Sequence, residues 1–431
     1  MEWYFFLLII WSILLILMLM GMPVAFSFFA VIIIIAPMLW GIGPGMSQFI
    51  NSIADSLMNF SLLPIPLYIL MGEVIFHSKL APDIIDAIDK WIGKLPGRLS
   101  LLTVCAGTVF AALTGTGIAS TAMLGKSLVP EMEKRGYKTP MSVGPILGSG
   151  GLAIMIPPST LAVLMCAVGD ISVGKTLLAI TVPGLLMAGL YAIYIIFRCV
   201  FNPSIAPPYS VEYSPFKEKL TAFSKYILPV GFIMFMVVGV IYVGIATPTE
   251  AAGTGALGCF ILSACHRRLN INVIKQAFIG TIRVTVMIYL IIAGSDLFSQ
   301  ILSYSGAVTG LTEFALRFTE YKFILFVAMQ TVVFMLGMFM NSLSIMMITL
   351  PIFMPIIQVL QFDPVWFGVM YLINIETGAI TPPFGMALFV MKGVTPEIKM
   401  GEIWLAAIPY ILLNLFMILL IYIFPPIALW F

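Results

Sequence analysis

The sequence predicts an all-α polytopic membrane protein, folded as an inverted repeat with two re-entrant hairpins and two broken helices. Three observations carry that prediction. The first is composition: of 431 residues 61% are hydrophobic and 9% charged, with a mean hydropathy of +1.11, whereas a soluble domain carries about 25% charged residues. The second is a pair of interruptions, GSGGLAIMIPPS at 148–159 and ETGAITPPFG at 376–385, each inside an apolar segment. Pro157, Pro158, Pro382 and Pro383 lack backbone donors and crowd the preceding turn, so each segment should part into two half-helices around an unwound stretch. Unwound backbone is tolerated at membrane depth only where protein buries it or it lines a cavity. The third is a register. Shifted by 225 residues, Pro23 falls on Pro248, Pro130 on Pro355 and Pro157-Pro158 on Pro382-Pro383; at 226, Pro183 falls on Pro409.

Each element follows from where about 20 apolar residues are available to cross a bilayer. Residues 3–20 and 22–40 read as two spans. The first has an acidic residue and no Lys or Arg, unlike the basic start of a cleavable signal, and reads as retained. A Gly-rich loop and a span at 57–76 follow. In 79–97, Leu80, Ile84, Ile88, Trp91 and Leu95 recur at helical spacing among charged residues, which predicts an amphipathic helix lying at the interface. Residues 99–129 are apolar but interrupted by LTGTGIAST; the arms are too short to span singly, so a hairpin with a polar tip is expected. The first broken span covers 139–169 and a further span 176–197. A polar connector, 198–224, joins the halves.

The second half repeats the plan: spans at 226–246, 251–265 and 273–293, a mixed amphipathic piece at 303–322, and a hairpin at 323–360 with the tip GMFMNSLS. The second broken span, 364–391, and a last span, 403–424, complete it. In coarser units, scaffold spans with the first arm occupy 1–98, a first transport half 99–198 and the connector 199–225. A second scaffold set occupies 226–322 and a second transport half 323–431.

Orientation follows from the basic residues. With the N-terminus outside, 17 of the 21 Lys and Arg fall on or near the inside; Lys175, Arg317 and Lys322 fall outside, and Arg283 lies within a span. The bias favours both termini outside. Five crossings plus a hairpin per repeat is an odd count, so the repeats are inverted, and inverted repeats with broken helices describe alternating access in a secondary transporter.

Other functions are excluded. A net charge of +2 with dispersed basic residues does not suit nucleic acid. Five cysteines without paired spacing read as buried thiols rather than a disulfide framework. His77 and His266 cannot build a metal cluster. No Walker A sequence is present, no catalytic constellation points to an enzyme, and no cofactor is expected.

SLVPEMEKRGY at 127–137, the IPPS break, ATPTEAAGTGA at 246–256 and TPPFG together resemble the large membrane (M) subunit of tripartite ATP-independent periplasmic (TRAP) transporters, over essentially the whole chain. The resemblance implies a bacterial inner-membrane carrier with elevator-type motion, driven by a sodium gradient, importing organic acids. It also implies two partners: a small four-span membrane subunit (Q type), expected as a separate polypeptide, and a soluble periplasmic binding protein. A stand-alone sodium- or proton-coupled anion symporter is the competing reading.

Sodium wants oxygen ligands, which unwound loops and helix C-terminal ends supply. One sodium site is expected between the first tip (Thr114, Gly115, Thr116) and the first break (Gly148, Gly151). A second is expected between Gly337, Asn341 and Ser342 of the second tip and Glu376, Gly378 and Thr381 of the second break. The bland reading of the glycines is close helix packing. Glu376 would ligate a cation, carry a proton or pair with a base, because ionisable groups inside a membrane are costly and usually functional. Half-helix N-termini at Ser159 and Phe384 offer donors to an anion. Ser120, Thr121, Lys126 and Ser159 are candidate substrate contacts, with Lys126 and Arg283 alternatively snorkelling to the interface. Glu73, Glu250 and Asp296 read as capping or interface groups near span ends.

Overall fold

Helix caps and proline punctuation set the element boundaries in the computed structural model, which describes residues 3–93, 95–114, 117–208, 215–317 and 319–431. The first half contains α1 (Trp3–Leu19), α2 (Val24–Trp40), α3 (Ile42–Leu57), α4 (Pro64–His77), α5 (Ala81–Ile92) and α6 (Arg98–Thr114). It continues with α7 (Gly117–Lys134), α8 (Thr139–Ser142), α9 (Gly144–Met155), α10 (Thr160–Gly169) and α11 (Val173–Phe201). The second half contains α12 (Phe216–Ala222), α13 (Leu228–Tyr242), α14 (Pro248–Cys265), α15 (Ile271–Tyr304) and α16 (Ala307–Leu316). It ends with α17 (Lys322–Gly337), α18 (Ser342–Val359), α19 (Pro364–Ala379), α20 (Met386–Val394) and α21 (Met400–Ile423). No strand occurs among the described residues.

Side chains close the exposed helix starts. Thr247 and Glu250 form a reciprocal capping box on α14; the Asn270, Asn341 and Asp363 carboxamide or carboxylate oxygens accept from Val273, Ser344 and Trp366 N–H, each at 2.9 Å. Each satisfies a donor that the first helical turn leaves without an internal partner.

The 225-residue register survives in three dimensions. The second arms of the two hairpins, α7 and α18, are both 18 residues long and start 225 apart. Gly136 and Gln361, also 225 apart, both adopt left-handed backbone, at φ +79° and +57°. Both Pro-Pro bonds are cis. The copies diverge at one place. In the second half α15 runs unbroken for 34 residues. Its counterpart in the first half is divided into α3 and α4 by a 3₁₀ turn, Phe60–Leu62, and a Pro64/Pro66 start. The expected Gly-rich loop after span 2 is therefore helix α3, and the expected span at 273–293 is the first two-thirds of a longer helix. Glycine alone does not stop a helix whose apolar face has neighbours.

Among the described residues five helices are long and apolar enough to cross a membrane, or six when the pair divided at the first Pro-Pro and bent by 48° is taken as one span. The chain is a multi-pass membrane protein. Its most enclosed elements are the first half-helices of the two breaks: every residue of α9 is buried, as is α19 from Val365 to Ala379. Tyr410 of α21 locks α9 in place. A Cβ on Gly148 would meet its ring at 2.2 Å, so only glycine permits this approach. Tyr191 of α11 meets the same ring edge-on at 5.1 Å and donates its hydroxyl to Asn414 of α21. The two repeats thus interlock through their broken helices.

The first amphipathic arm is α5. It buries Leu80, Ile84 and Ile88. Trp91 and Leu95, expected on the same face, are exposed, and the Trp91 indole instead donates to the Lys219 carbonyl at 3.2 Å, beside Phe223. Arg98 at the start of α6 grips the Asp89 carboxylate at 3.0 and 2.6 Å. Arg268, between α14 and α15, pairs with Asp83 at 2.5 Å and donates to the Lys79 carbonyl. Of the cysteines, Cys166, Cys199 and Cys259 are buried as expected, whereas Cys105 and Cys265 are exposed.

Candidate functional site

The hairpin tips and the breaks meet at a small cleft of about 20 Å³. Its walls come from both halves: Gly117 and Thr121 of α7, Gly150 and Gly151 of α9, Asn341 and Ser342 at the start of α18, Glu376 of α19, and Met386 and Ala387 at the start of α20. Small residues allow the approach. A Cβ on Gly117 would lie 2.7 Å from the Gly150 carbonyl oxygen and 2.9 Å from Glu376 Oε2; one on Gly150 would lie 2.3 Å from Thr121 Oγ1. Tip 1 therefore seats directly on break 1, while the carboxylate of the second half reaches across to both.

The second tip seats on the second break in the same way. Gly337, the last residue of α17, lies so close to Gly378 that a Cβ on either would come within 2.7 Å of the other's Cα. Close helix crossing, the bland reading of these glycines, is what they do. Deeper in the same contact, Asn374 donates to the Gln330 carbonyl and side-chain oxygens at 2.6 and 2.7 Å.

The polarity of the cleft follows from helix direction. α7, α18 and α20 all start on it, at Gly117, Ser342 and Met386. First-turn N–H groups have no partner within the helix and carry the positive end of the helix dipole, so three starts converging on one cleft favour an anion. Against them stands Glu376, 7% exposed. Ser342 Oγ donates to its Oε1 at a long 3.4 Å. Thr121 Oγ1, 1% exposed, has no hydrogen-bond partner at all. Among the described residues no lysine, arginine or histidine lines the cleft.

The expected site residues distribute as follows. Gly151, Asn341, Ser342, Glu376 and Thr121 all line the cleft. Gly337 and Gly378 pack the crossing beside it, and Gly148 faces Tyr410 instead. Thr381 donates its hydroxyl to the Thr377 carbonyl at 2.6 Å, and its own carbonyl accepts from Gly385 N–H at 3.0 Å. Ser159 is fully buried and caps α10 by accepting from Ala162 N–H at 3.2 Å. Ser120 is buried outside the cleft wall, and Lys126 is exposed on α7 outside it. Gly115 and Thr116 lie outside the described residues, as does the side chain of Thr114.

Three expectations are corrected. The second half-helix of break 2 starts at Met386 rather than Phe384, because Gly385 folds back to bond Thr381. Asp296 lies well inside α15 rather than near a span end, since that helix continues to Tyr304. Thr121 was expected on a tip loop and belongs to helix α7. Among the other acidic residues, Glu250 is the capping partner of Thr247, and Glu73 pairs with His77 at 3.2 Å, with Arg283 also near enough to act on its charge. Sequence reasoning missed Gly117, and covered Gly150 only as part of the run 148–151. The run GSGG opposite TGTG, small residues on two segments that had to meet, is the signal that could have found them.

Comparison with known proteins agrees with this architecture. A solved transporter, YdaH of Alcanivorax borkumensis, described as having an unusual topology, superposes with a TM-score of 0.57 over 90% of this chain and 89% of its own, at 14% sequence identity. That likeness concerns the fold. Among curated proteins, the C4-dicarboxylate TRAP transporter large permease protein DctM of Pseudomonas aeruginosa is 30% identical over 86% of both chains. The sialic acid TRAP transporter large permease protein SiaM of Vibrio cholerae is 27% identical over 94% of this chain and 93% of that one. The isethionate TRAP transporter permease protein DctMQ of Oleidesulfovibrio alaskensis is 28% identical over 95% of this chain, which covers 66% of that longer protein. The family model for the tripartite ATP-independent periplasmic transporter, DctM component, matches residues 11–427, and the chain belongs to that family of transporters.

Proposed function

We propose that this chain is the substrate-translocating subunit of a sodium-coupled, binding-protein-dependent importer of small organic acid anions. The observation that carries this reading is the convergence of three helix starts, drawn from both repeats, on one cleft. Helix starts favour the negative group of a substrate, and the names of the relatives run from dicarboxylates to a sulfonate. Sodium coupling is supported by the opposite helix ends. α6 and α9 end at Thr114 and Met155 on one side, α17 and α19 at Gly337 and Ala379 on the other. Each pair offers carbonyl oxygens and negative dipole ends to a hard cation. We assign the first cation to the tip at 114–116 with Gly148–Gly151, which lie within α9 rather than in the unwound stretch that follows it, and the second to the tip at 337–342 with Glu376 and the carbonyls around Gly378 and Thr381.

The hairpins and breaks, 99–198 and 323–425, move as one unit against the scaffold helices. The arms α5 and α16 connect the two, and the motion is of elevator type. The chain lies in the bacterial inner membrane with both termini in the periplasm, an orientation that rests on the distribution of its basic residues. It works with a four-span small subunit carried on a separate chain and with a periplasmic binding protein. The test is uptake of radiolabelled organic acids into proteoliposomes holding this chain and its small subunit, with sodium and the binding protein each present or absent. Uptake that needs both is the expected result. Uptake with sodium alone would make the chain a stand-alone symporter, and indifference to sodium would remove both cation sites.

A further inference from the structure

We infer that the small membrane subunit docks on the exposed face of α15 and meets Arg283 there with a carboxylate of its own. This rests on the reading above that such a subunit accompanies the chain, and it adds where the subunit sits and what chemistry holds it. Between Lys275 and Asp296, Arg283 is the only charged residue of α15. That stretch is about 30 Å long, the thickness of a bilayer's hydrocarbon core. Arg283 stands about 12 Å along the helix from Lys275, a rise that a snorkelling side chain covers only in part. Ile279, Ile282, Val286 and Leu290 recur at three- and four-residue spacing on the same face, and all are exposed, as is Arg283.

Lipid does not account for this face. The aliphatic residues alone would suit acyl chains, but a guanidinium has five donors and no acceptor, and it is costly at this depth unless another group answers it. Among the described residues Arg283 forms no ion pair. Glu73 of α4 acts on its charge but is held elsewhere: Oε2 pairs with His77 at 3.2 Å and lies against Gly280, whose bare Cα leaves it room. Glu73 and His77 are themselves partly exposed, so the polar patch continues from α15 onto α4. Acyl chains can pair with none of the three groups. A transmembrane helix can, by carrying a carboxylate at this depth, which a guanidinium binds through a fork of two hydrogen bonds. α13 gives the contrast. Its Phe232 and Phe235 are exposed, yet no charged residue lies between Lys225 and Glu250, so lipid suffices to cover it.

The test uses the full chain co-expressed with its small subunit. In membranes, a benzophenone is attached at Val286→Cys or, as the control, at Phe235→Cys of α13, in a protein freed of its native cysteines, and then irradiated. The small subunit should be cross-linked from position 286 and not from position 235. Separately, the yield of small subunit that co-purifies with the large chain is compared for the native protein, Arg283→Glu and Arg283→Lys. Arg283→Glu should lower that yield about tenfold or more, because it sets like charges against each other, and Arg283→Lys, which keeps the charge, should retain part of it. The melting temperature of the large chain separates loss of the partner from loss of the fold; if Arg283→Glu does not fold, the cross-link, made with Arg283 in place, decides. Adducts at position 286 confined to lipid or to a second copy of this chain would overturn the inference. So would a folded Arg283→Glu protein that keeps its partner in full. Either result leaves the small subunit as a partner docked elsewhere. A native chain with which the small subunit never co-purifies would remove the partner reading itself, and this inference with it.

Discussion

The two halves of the cleft share a backbone and differ in chemistry. At the 225-residue offset, Gly117 corresponds to Ser342, Gly151 to Glu376 and Thr121 to Met346. Where the first half places two glycines, the second places a hydroxyl and a carboxylate, and the Glu376 side chain occupies the space the glycines leave, with its Oε2 2.9 Å from where a Gly117 Cβ would be. A perfectly symmetric repeat could not do this: two carboxylates would repel one another, and two glycines would leave a hole. The repeat supplies the paired tips and breaks, and the departures from it supply recognition.

That comparison can be broken most severely at the second crossing. Gly337→Val pushes a branched side chain into the Gly378 backbone, and overpacking of this kind costs about 3 kcal/mol or more. A large fall in thermal stability of the purified protein is expected, and an unchanged melting temperature would show that α17 and α19 do not cross here. Gly117→Ala comes next. Its methyl would lie 2.7 Å from the Gly150 carbonyl, a backbone atom that cannot swing away, so a cost of about 1–3 kcal/mol with loss of uptake is expected. Asn341→Ala removes the cap on α18 and should cost about 1 kcal/mol in the same assay. The smallest effect is expected at Gly151→Ala, where the nearest atom is Glu376 Cβ at an ordinary 3.5 Å. Its stability should change by about 0.5 kcal/mol or less. Equal damage from Gly117→Ala and Gly151→Ala would contradict the asymmetric seating of the tip.

Much of this was legible in the sequence because its strongest signals are local. The Pro-Pro pairs fix the breaks, the glycine-rich tips fix the hairpins, and the repeated order of the two fixes the topology. What stayed hidden depends on which side of a helix faces which neighbour. Gly148 and Gly151 both belong to GSGG, yet one faces Tyr410 and the other the cleft, a difference set by rotation about α9. Ser159 carries a hydroxyl beside a break, but the start of α10 consumes it as a cap. Lys126 has suitable charge and lies only five residues from Thr121, which puts it on a different part of the helix surface, outside the cleft. The break between α3 and α4 is hard to read because the glycines precede it, while the prolines that set it follow the turn, at the start of α4.

The most direct test of the central claim, that the cleft between the repeats is the site of alternating access, is thiol labelling from each side of the membrane. Thr121→Cys and Ser342→Cys would be introduced singly into a protein freed of its native cysteines, because Cys105 and Cys265 are exposed. A membrane-impermeant reagent would then be applied from the outside or the inside of oriented vesicles. Both positions should react from both sides, with sodium and substrate shifting the balance between the two. Reaction from one side only under every condition, at both positions, would contradict the account.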